Sequence, residues 1–255
     1  MTLDPTRPAP AGDIRAALDS LRAQDLPTHG GRTLSYVYDS GLAEADAIGR
    51  EALAAFAATN GLDPTAFPSL ARLESELVAL ATGLLHGPPS TVGVATSGGT
   101  ESLVLAVLAA RNGSPHVERP QVVAPSTVHA AVHKAGHLLG VDVVIVPVDP
   151  TTFRADPMAM AAAVTDDTVL LVASAPSYAH GVVDPVEEVA AIAREHGIRC
   201  HVDACIGGWV LPFLDDAPPW TFAVEGVTSI SVDLHKYAYT PKGVSLLLHR
   251  DPGLR

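Results

Sequence analysis

From about residue 90 onward, short runs of β-branched residues alternate with helical stretches, and this alternation constrains the fold more than any other feature. The predicted strands cover residues 121–124, 141–148, 168–173, 199–202, 227–232 and 244–249. The predicted helices cover residues 101–111, 128–139, 157–164 and 185–196. Such alternation is typical of an α/β domain in which helices cover a mostly parallel sheet.

The part of the chain before residue 86 has a different, helical pattern. Amphipathic stretches over residues 13–24, 42–59 and 69–85 predict three helices, with Asp13 as the N-cap of the first. In the third stretch, leucines recur at spacings of three and four residues, which places them on one helix face. We therefore predict an N-terminal helical segment over residues 1–85 and a larger domain over residues 86–255.

Composition and charge restrict the partners of this chain. The 255 residues carry a formal net charge of −12, which argues against a nucleic acid partner. Charged residues make up only 17% of the chain while 47% are hydrophobic, so we expect some apolar surface to face another subunit or a further part of the protein. The N-terminus lacks the pattern of a secretory signal, and no apolar run is long enough for a membrane anchor. Cys200 and Cys205 do not form a CxxC pair, and a reducing cytoplasm is the predicted location.

A glycine-rich turn precedes the first helix of the larger domain. Residues 96–102 read Thr-Ser-Gly-Gly-Thr-Glu-Ser. A glycine turn that leads into a helix presents free backbone N–H groups and the positive end of the helix dipole, which together favour an anion. The segment lacks the Gly-Lys-Ser/Thr of a P-loop and the GxGxxG of a dinucleotide site. An ordinary helix start after a glycine turn is the structural alternative.

Two reactive side chains follow predicted strands. Asp203 ends the strand at 199–202, and Lys236 comes shortly after the strand at 227–232. Ligands of α/β proteins bind beyond the carboxyl ends of the strands, and a lysine there can act as a covalent nucleophile. A helix cap at Asp203 and a solvated surface lysine at Lys236 are the alternatives. His129, His133 and His137 lie on one helix face, but no carboxylate or cysteine is at ligand spacing, so no metal site is predicted.

Together these motifs match what pyridoxal 5′-phosphate (PLP) requires. This cofactor has a phosphate to anchor, a pyridine nitrogen to keep protonated and an aldehyde that reacts with a lysine. Over roughly residues 35–250, the sequence resembles the sphingosine-1-phosphate lyase branch of the PLP-dependent group II decarboxylase family. The resemblance rests on segments 60–68, 96–102, 123–125, 174–185, 201–209 and 226–243.

The resemblance implies a role for each matching residue around the cofactor. Gly99, Thr100 and His235 would hold the cofactor phosphate. His129 would stack on the pyridine ring, and Asp203 would form a salt bridge with the pyridinium nitrogen.

The resemblance also implies the residues that take part in the reaction. Lys236 would carry the cofactor as a Schiff base. Tyr38 and Lys242 match a tyrosine and a second lysine near the reacting carbons of the substrate. His129 and Asp203 would also belong to the catalytic set.

The implied fold is the large domain of the fold type I, PLP-dependent transferase-like class, preceded by N-terminal helices and assembled as a homodimer. The implied reaction is a carbon–carbon cleavage that splits a small-molecule substrate, a phosphorylated amino alcohol, into an aldehyde and an amine. An amino-acid decarboxylase is the alternative enzyme. Family members continue into a small C-terminal domain, whereas this sequence ends at Arg255, so a truncated non-catalytic paralogue is the third alternative.

Overall fold

The computed structural model describes Thr6 and residues 8–255 and divides the chain into two compact units, one up to Ala43 and one over Glu44–Arg255. The first unit contains helix α1, Ala11–Arg22. Pro10 occupies its N-cap position, so the prediction of Asp13 as the cap was wrong. Asp13 lies instead in the first turn, where a negative charge still complements the helix dipole. The domain boundary predicted between residues 85 and 86 stays a prediction.

The second unit is built on a seven-stranded sheet, and the prediction of a mostly parallel α/β sheet is confirmed. The spatial order is β1-β7-β6-β5-β4-β2-β3, with β7 antiparallel to both neighbours and the remaining pairs parallel. The strands are Val92–Thr96 (β1), Gln121–Pro125 (β2), Asp142–Val146 (β3), Thr168–Ser174 (β4), Arg199–Asp203 (β5), Ser229–Asp233 (β6) and Ser245–His249 (β7).

Strand β1 was absent from the sequence prediction. It is an edge strand of five residues that includes Gly93 and Ala95, two residue types with low strand propensity. A Cβ atom on Gly93 would lie 3.0 Å from the Val78 side chain, so the glycine lets a helix pack closely on the strand. Tertiary packing therefore forms a strand that the local sequence does not indicate.

The other helices begin and end within a few residues of their predicted bounds. They are Ala43–Phe56 (α2), Pro68–Leu84 (α3), Gly99–Asn112 (α4), Ala130–Leu139 (α5), Pro157–Ala163 (α6) and Val186–Glu195 (α7). Among the residues described, no helix combines the length and the apolar character needed to cross a membrane.

The sheet has a hydrophobic core on each face. Val122 and Ala124 of β2 pack with α4 and α5, whereas Val123, between them, packs with α6 and α7. Successive residues of a strand point to opposite faces, so this alternation shows a sheet covered on both sides. The strands can then be apolar throughout, as the seven buried residues of β4 illustrate.

Six of the seven strands end at the same edge of the sheet. Strand β1 ends there at Thr96, β5 at Asp203 and β6 at Asp233. The antiparallel strand β7 starts at the same edge, with Ser245 in register with both Thr96 and Asp233. Side chains that are distant in sequence therefore meet at this edge, where α/β proteins bind ligands.

Candidate active site

A cavity of about 660 Å³ lies at the carboxyl edge of the sheet. All three lysines of the sequence, Lys134, Lys236 and Lys242, line it, although the chain as a whole is strongly acidic. The predicted site residues that also line it are Gly99, Thr100, His129, Asp203 and His235. The structure therefore brings together all the predicted site residues of the second unit.

The glycine turn at this edge is held closed by a hydrogen-bonded pair. Glu101 accepts hydrogen bonds from the Ser97 backbone N–H at 2.6 Å and from the Ser97 hydroxyl at 2.7 Å. These two bonds hold the pKa of Glu101 below its usual value, so this carboxylate stays charged. The two bonds fix the conformation of the turn from which α4 begins.

Gly99 is the residue at which this turn touches the rest of the site. A Cβ atom there would lie 2.7 Å from the Cys205 sulfur and 3.0 Å from Oδ1 of Asp233. Both neighbours are buried, so a larger residue would displace them. The close approach therefore explains the glycine through packing rather than through an unusual backbone angle.

Asp203 stands at the end of β5 with its carboxylate at the cavity. It is 8% exposed, and its Oδ1 accepts a hydrogen bond from the Cys205 backbone N–H at 3.1 Å. Burial and the nearby Asp203 and Asp233 carboxylates raise the pKa of the Cys205 thiol well above its ordinary value, so this cysteine stays a neutral thiol. The alternative predicted for Asp203, a cap of the following segment, is thus partly realised in the same side chain that lines the cavity.

Lys236 is paired with a carboxylate that the sequence analysis left unassigned. Its Nζ lies 3.0 Å from Oδ2 of Asp233, which is only 2% exposed. A turn from Asp233 to Lys236, closed by a backbone hydrogen bond of 3.4 Å, brings the two side chains together. Burial, the largest single influence, would lower the pKa of Lys236, but the charge and hydrogen bond of Asp233 act together with the other nearby groups, and the pKa is raised.

His235 has one ring nitrogen fixed and the other facing this pair. Its Nδ1 donates to the Val244 carbonyl at 2.8 Å, and its Nε2 lies 3.6 Å from Oδ2 of Asp233. A Cβ atom built on Gly98 would lie 3.9 Å from Cε1 of His235. The imidazole therefore stands directly beside the glycine turn, as its predicted role requires.

His129 is the N-cap of α5 and lines the cavity. Its Nδ1 accepts a hydrogen bond from the Ala131 backbone N–H at 3.1 Å, so the ring proton is on Nε2 in the neutral form. The ring makes an edge contact with Tyr178, with the ring centroids 5.5 Å apart. These two contacts fix the ring at the cavity wall, where it can stack on a planar ligand.

The second predicted lysine lies close to the first. Nζ of Lys242 donates to the backbone carbonyl of His235 at 3.3 Å. Burial and the positive charge of Lys236 lower the pKa of Lys242, so a larger fraction of it is a neutral amine near pH 7 than for an ordinary lysine. Lys242 is thus suited to accept a proton, whereas Lys236 is held as a cation.

Tyr38 belongs to the other compact unit, where it is half-buried, so its predicted role stays a prediction. Within the second unit, the sequence analysis missed Asp233, Ser245 and Cys205 as site residues. Asp233 ends β6 as Asp203 ends β5, so the same rule could have found it. Ser245 begins the antiparallel strand and carries no comparable signal, because its place depends on the pairing of β7 with β6.

Comparison with known proteins identifies relatives of this chain. The profile of the family described as "Pyridoxal-dependent decarboxylase conserved domain" matches residues 29–254. A sphingosine-1-phosphate lyase of Dictyostelium discoideum is 41% identical over 210 residues, which make up 80% of this chain and 40% of that protein. Sphingosine-1-phosphate lyase 1 of Rattus norvegicus is 37% identical over 258 residues, covering 98% of this chain and 45% of that protein. The chain therefore spans less than half the length of these relatives.

Solved structures show the same relationship. The sphingosine-1-phosphate lyase of Burkholderia pseudomallei matches all of this chain and 62% of its own with a TM-score of 0.93 and 37% identity. Glutamate decarboxylase of Lactobacillus brevis matches with a TM-score of 0.87 but only 22% identity, which shows a shared fold.

Proposed function

The chain belongs to the pyridoxal-dependent decarboxylase family, and we propose that it binds PLP and cleaves a carbon–carbon bond of a phosphorylated amino alcohol. The observation that carries this proposal is the convergence of Lys236, Asp203 and the Gly99 turn on one cavity. These three features supply an amine, a buried carboxylate and an anion-binding helix start, which are the groups that PLP requires.

The residues around the cavity fit the cofactor. Gly99, Thr100 and His235 would hold its phosphate at the start of α4. Asp203 would pair with the pyridine nitrogen, His129 would stack on the ring, and the Lys236 amine would bond to the aldehyde. When bound, PLP supplies an electron sink for the bond that breaks.

The chain's own residues would control the protonation of the cofactor and of the substrate. Asp203 would keep the pyridine nitrogen protonated through its buried negative charge. In the proposed cleavage, the substrate's C3 hydroxyl loses its proton, the C2–C3 bond breaks to give an aldehyde, and C2 then gains a proton to give a phosphoethanolamine-like amine. Lys242, whose pKa is lowered, would accept this proton, and Tyr38 is the other candidate from the family resemblance.

The relatives favour the lyase over the decarboxylase. The named sphingosine-1-phosphate lyases are 36–42% identical to this chain. The glutamate decarboxylase fold is shared at 22% identity only. A phosphorylated substrate needs cations besides those that hold the cofactor phosphate, and Lys134, which lines the cavity, is the candidate.

We further propose a homodimer located in the cytoplasm. Helix α3 exposes Leu73 and Leu80 at 42% and 59%, and Leu53 of α2 is 58% exposed, so these helices leave apolar area that a second copy can cover. The free cysteines Cys200 and Cys205 suit a reducing compartment. Sedimentation of the purified chain at micromolar concentration should give a dimer, and a monomer would contradict this arrangement.

The proposed activity is tested in two steps. PLP is first added to the purified chain, and visible absorption should show a bound yellow cofactor, which a non-catalytic paralogue with an empty site would lack. The holoprotein is then offered a phosphorylated long-chain base and, separately, aromatic and acidic amino acids. Aldehyde release from the phosphorylated base supports the lyase, whereas CO2 from an amino acid without any aldehyde would assign the chain to the decarboxylases.

A further inference from the structure

We propose that Asp233 is a positioning residue that binds the Lys236 ammonium and holds this amine at the cavity before any cofactor arrives. The proposal rests on the proposed function for the importance of Lys236, but its geometry is independent of the cofactor. Asp233 has no role in the assignments derived from the sequence. Its ion pair with Lys236 and its hydrogen bond from Ser245 distinguish it from Asp203, another carboxylate of the cavity.

The Asp233 carboxylate is fixed at both oxygens. Oδ1 accepts a hydrogen bond of 2.5 Å from the Ser245 hydroxyl, and Oδ2 lies 3.0 Å from Nζ of Lys236. Both Ser245 and Asp233 are almost fully buried. A buried carboxylate with partners on each oxygen keeps one orientation, so the lysine that it binds is kept in one place.

The surroundings favour a negative charge at Asp233 in spite of its burial. Its two oxygens lie 3.0 and 3.1 Å from the position that a Gly99 Cβ atom would take, which places the carboxylate against the first turn of α4. The positive end of a helix dipole stabilises such a charge. Helix α4 and the Lys236 ammonium thus both compensate the same buried carboxylate.

Five titratable groups act on or around Lys236. Asp233 provides the direct ion pair, and Asp203 at the end of β5 adds a second negative charge without an ion pair to Lys236. Cys205 is a neutral thiol beside both carboxylates. Lys242 is a neighbouring cation whose own pKa is lowered by Lys236, and His235 lies 3.6 Å from Asp233. Asp233 is therefore the main source of the charge that keeps Lys236 protonated.

The experiment measures the titration of Lys236 in the cofactor-free chain. Because the sequence has three lysines, protein labelled with 13C-lysine gives three side-chain Cε signals, and the Lys236→Arg variant identifies the one from Lys236. The signals are followed by NMR from pH 7 upward, within the range where circular dichroism shows a folded protein.

In Asp233→Asn, we expect the Lys236 titration to move to lower pH, because burial is then opposed by less negative charge. Asp203→Asn is the matched control: it removes the same charge from the same cavity, and its shift should be smaller. A Lys236 titration in Asp233→Asn that equals the wild type, or that moves no further than in Asp203→Asn, would overturn the proposal.

Ser245→Ala provides a second route if Asp233→Asn does not fold. This variant keeps the carboxylate but frees Oδ1, so the ion pair weakens and the Lys236 titration should shift to lower pH by less than in Asp233→Asn. An unchanged titration in Ser245→Ala would contradict the positioning role. The Lys236 titration is measured without cofactor, so it can be read even if PLP does not bind. The positioning role of Asp233 and the proposed function can therefore be contradicted independently.

Discussion

Gly99 shows how one residue connects the fold to the site. Glu101 and Ser97 hold the turn before it through hydrogen bonds, and a Cβ atom on Gly99 would meet Cys205 and Asp233. The same position thus joins the start of α4, the loop after β5 and the end of β6. A single added carbon atom at Gly99 would therefore displace Asp233, which binds Lys236, and would disturb the turn that is proposed to hold the phosphate.

The Gly99→Ala variant should bind PLP more weakly and be less stable. The new methyl group would lie 2.7 Å from the Cys205 sulfur, and overpacking of this kind typically costs about 1–3 kcal/mol. Urea unfolding measures the stability, and a titration of the visible absorption with PLP measures the binding.

Gly83→Ala is the control for this variant. Gly83 lies in the last turn of α3, and a Cβ atom there meets nothing within 4 Å. Alanine is the better helix former by about 1 kcal/mol, so stability should stay the same or rise. Equal PLP affinity in Gly99→Ala and the wild type would show that the close packing around Gly99 does not affect cofactor binding.

At the scale of elements, the sequence predicted those that depend on local pattern and missed those that depend on pairing. The strand β4 is a continuous apolar run, and its bounds were predicted to within one residue. The strand β1 contains Gly93 and forms because α3 and β7 pack against it. Asp203 was predicted at a strand end because the local sequence shows that strand. The contact between Asp233 and Ser245 could not be predicted in this way, because it depends on how β6 and β7 are paired.

A buried histidine of β5, His201, contacts two serines of β6, and its burial leads us to expect that acid lowers the stability of the fold. The His201 Nδ1 and Nε2 lie 2.8 Å and 3.1 Å from the hydroxyl oxygens of Ser229 and Ser231. Burial lowers the pKa of His201 to about 3, and burial lowers that of His249 to about 4. In the unfolded chain a histidine titrates near pH 6.5, so between these values the unfolded state binds protons that the folded state does not.

Stability should therefore be full above about pH 6.5 and fall as the pH drops below it. Between pH 7 and pH 5 each of these two histidines should cost about 2 kcal/mol of unfolding free energy. Urea unfolding at both pH values measures the difference, and His201→Gln should reduce it by roughly half.

The exposed His116 offers the control for the acid prediction. His116→Gln should leave the difference between pH 7 and pH 5 as it is in the wild type. An equal difference in His201→Gln and the wild type would show that His201 is not the source of the acid sensitivity.

At the scale of the whole molecule, an acidic chain concentrates its lysines in one place. The net charge is −12, yet Lys134, Lys236 and Lys242 all line the cavity at the carboxyl edge of the sheet. The lining also carries Glu101, Asp203 and Asp233, so the formal charges of its lysines and carboxylates balance, and an anionic ligand meets less repulsion there than the net charge of the whole chain implies. This distribution suits a phosphorylated cofactor together with a phosphorylated substrate.

In the proposed function Lys236 carries the cofactor, and borohydride reduction tests this assignment at the level of the single residue. The chain is loaded with PLP, reduced so that the bond between lysine and cofactor becomes stable, and mapped by tandem mass spectrometry of its peptides. We expect the pyridoxyl group on Lys236, and Lys242→Met should leave it there. A pyridoxyl group on Lys134 or Lys242 instead, or none on any lysine, would contradict the account.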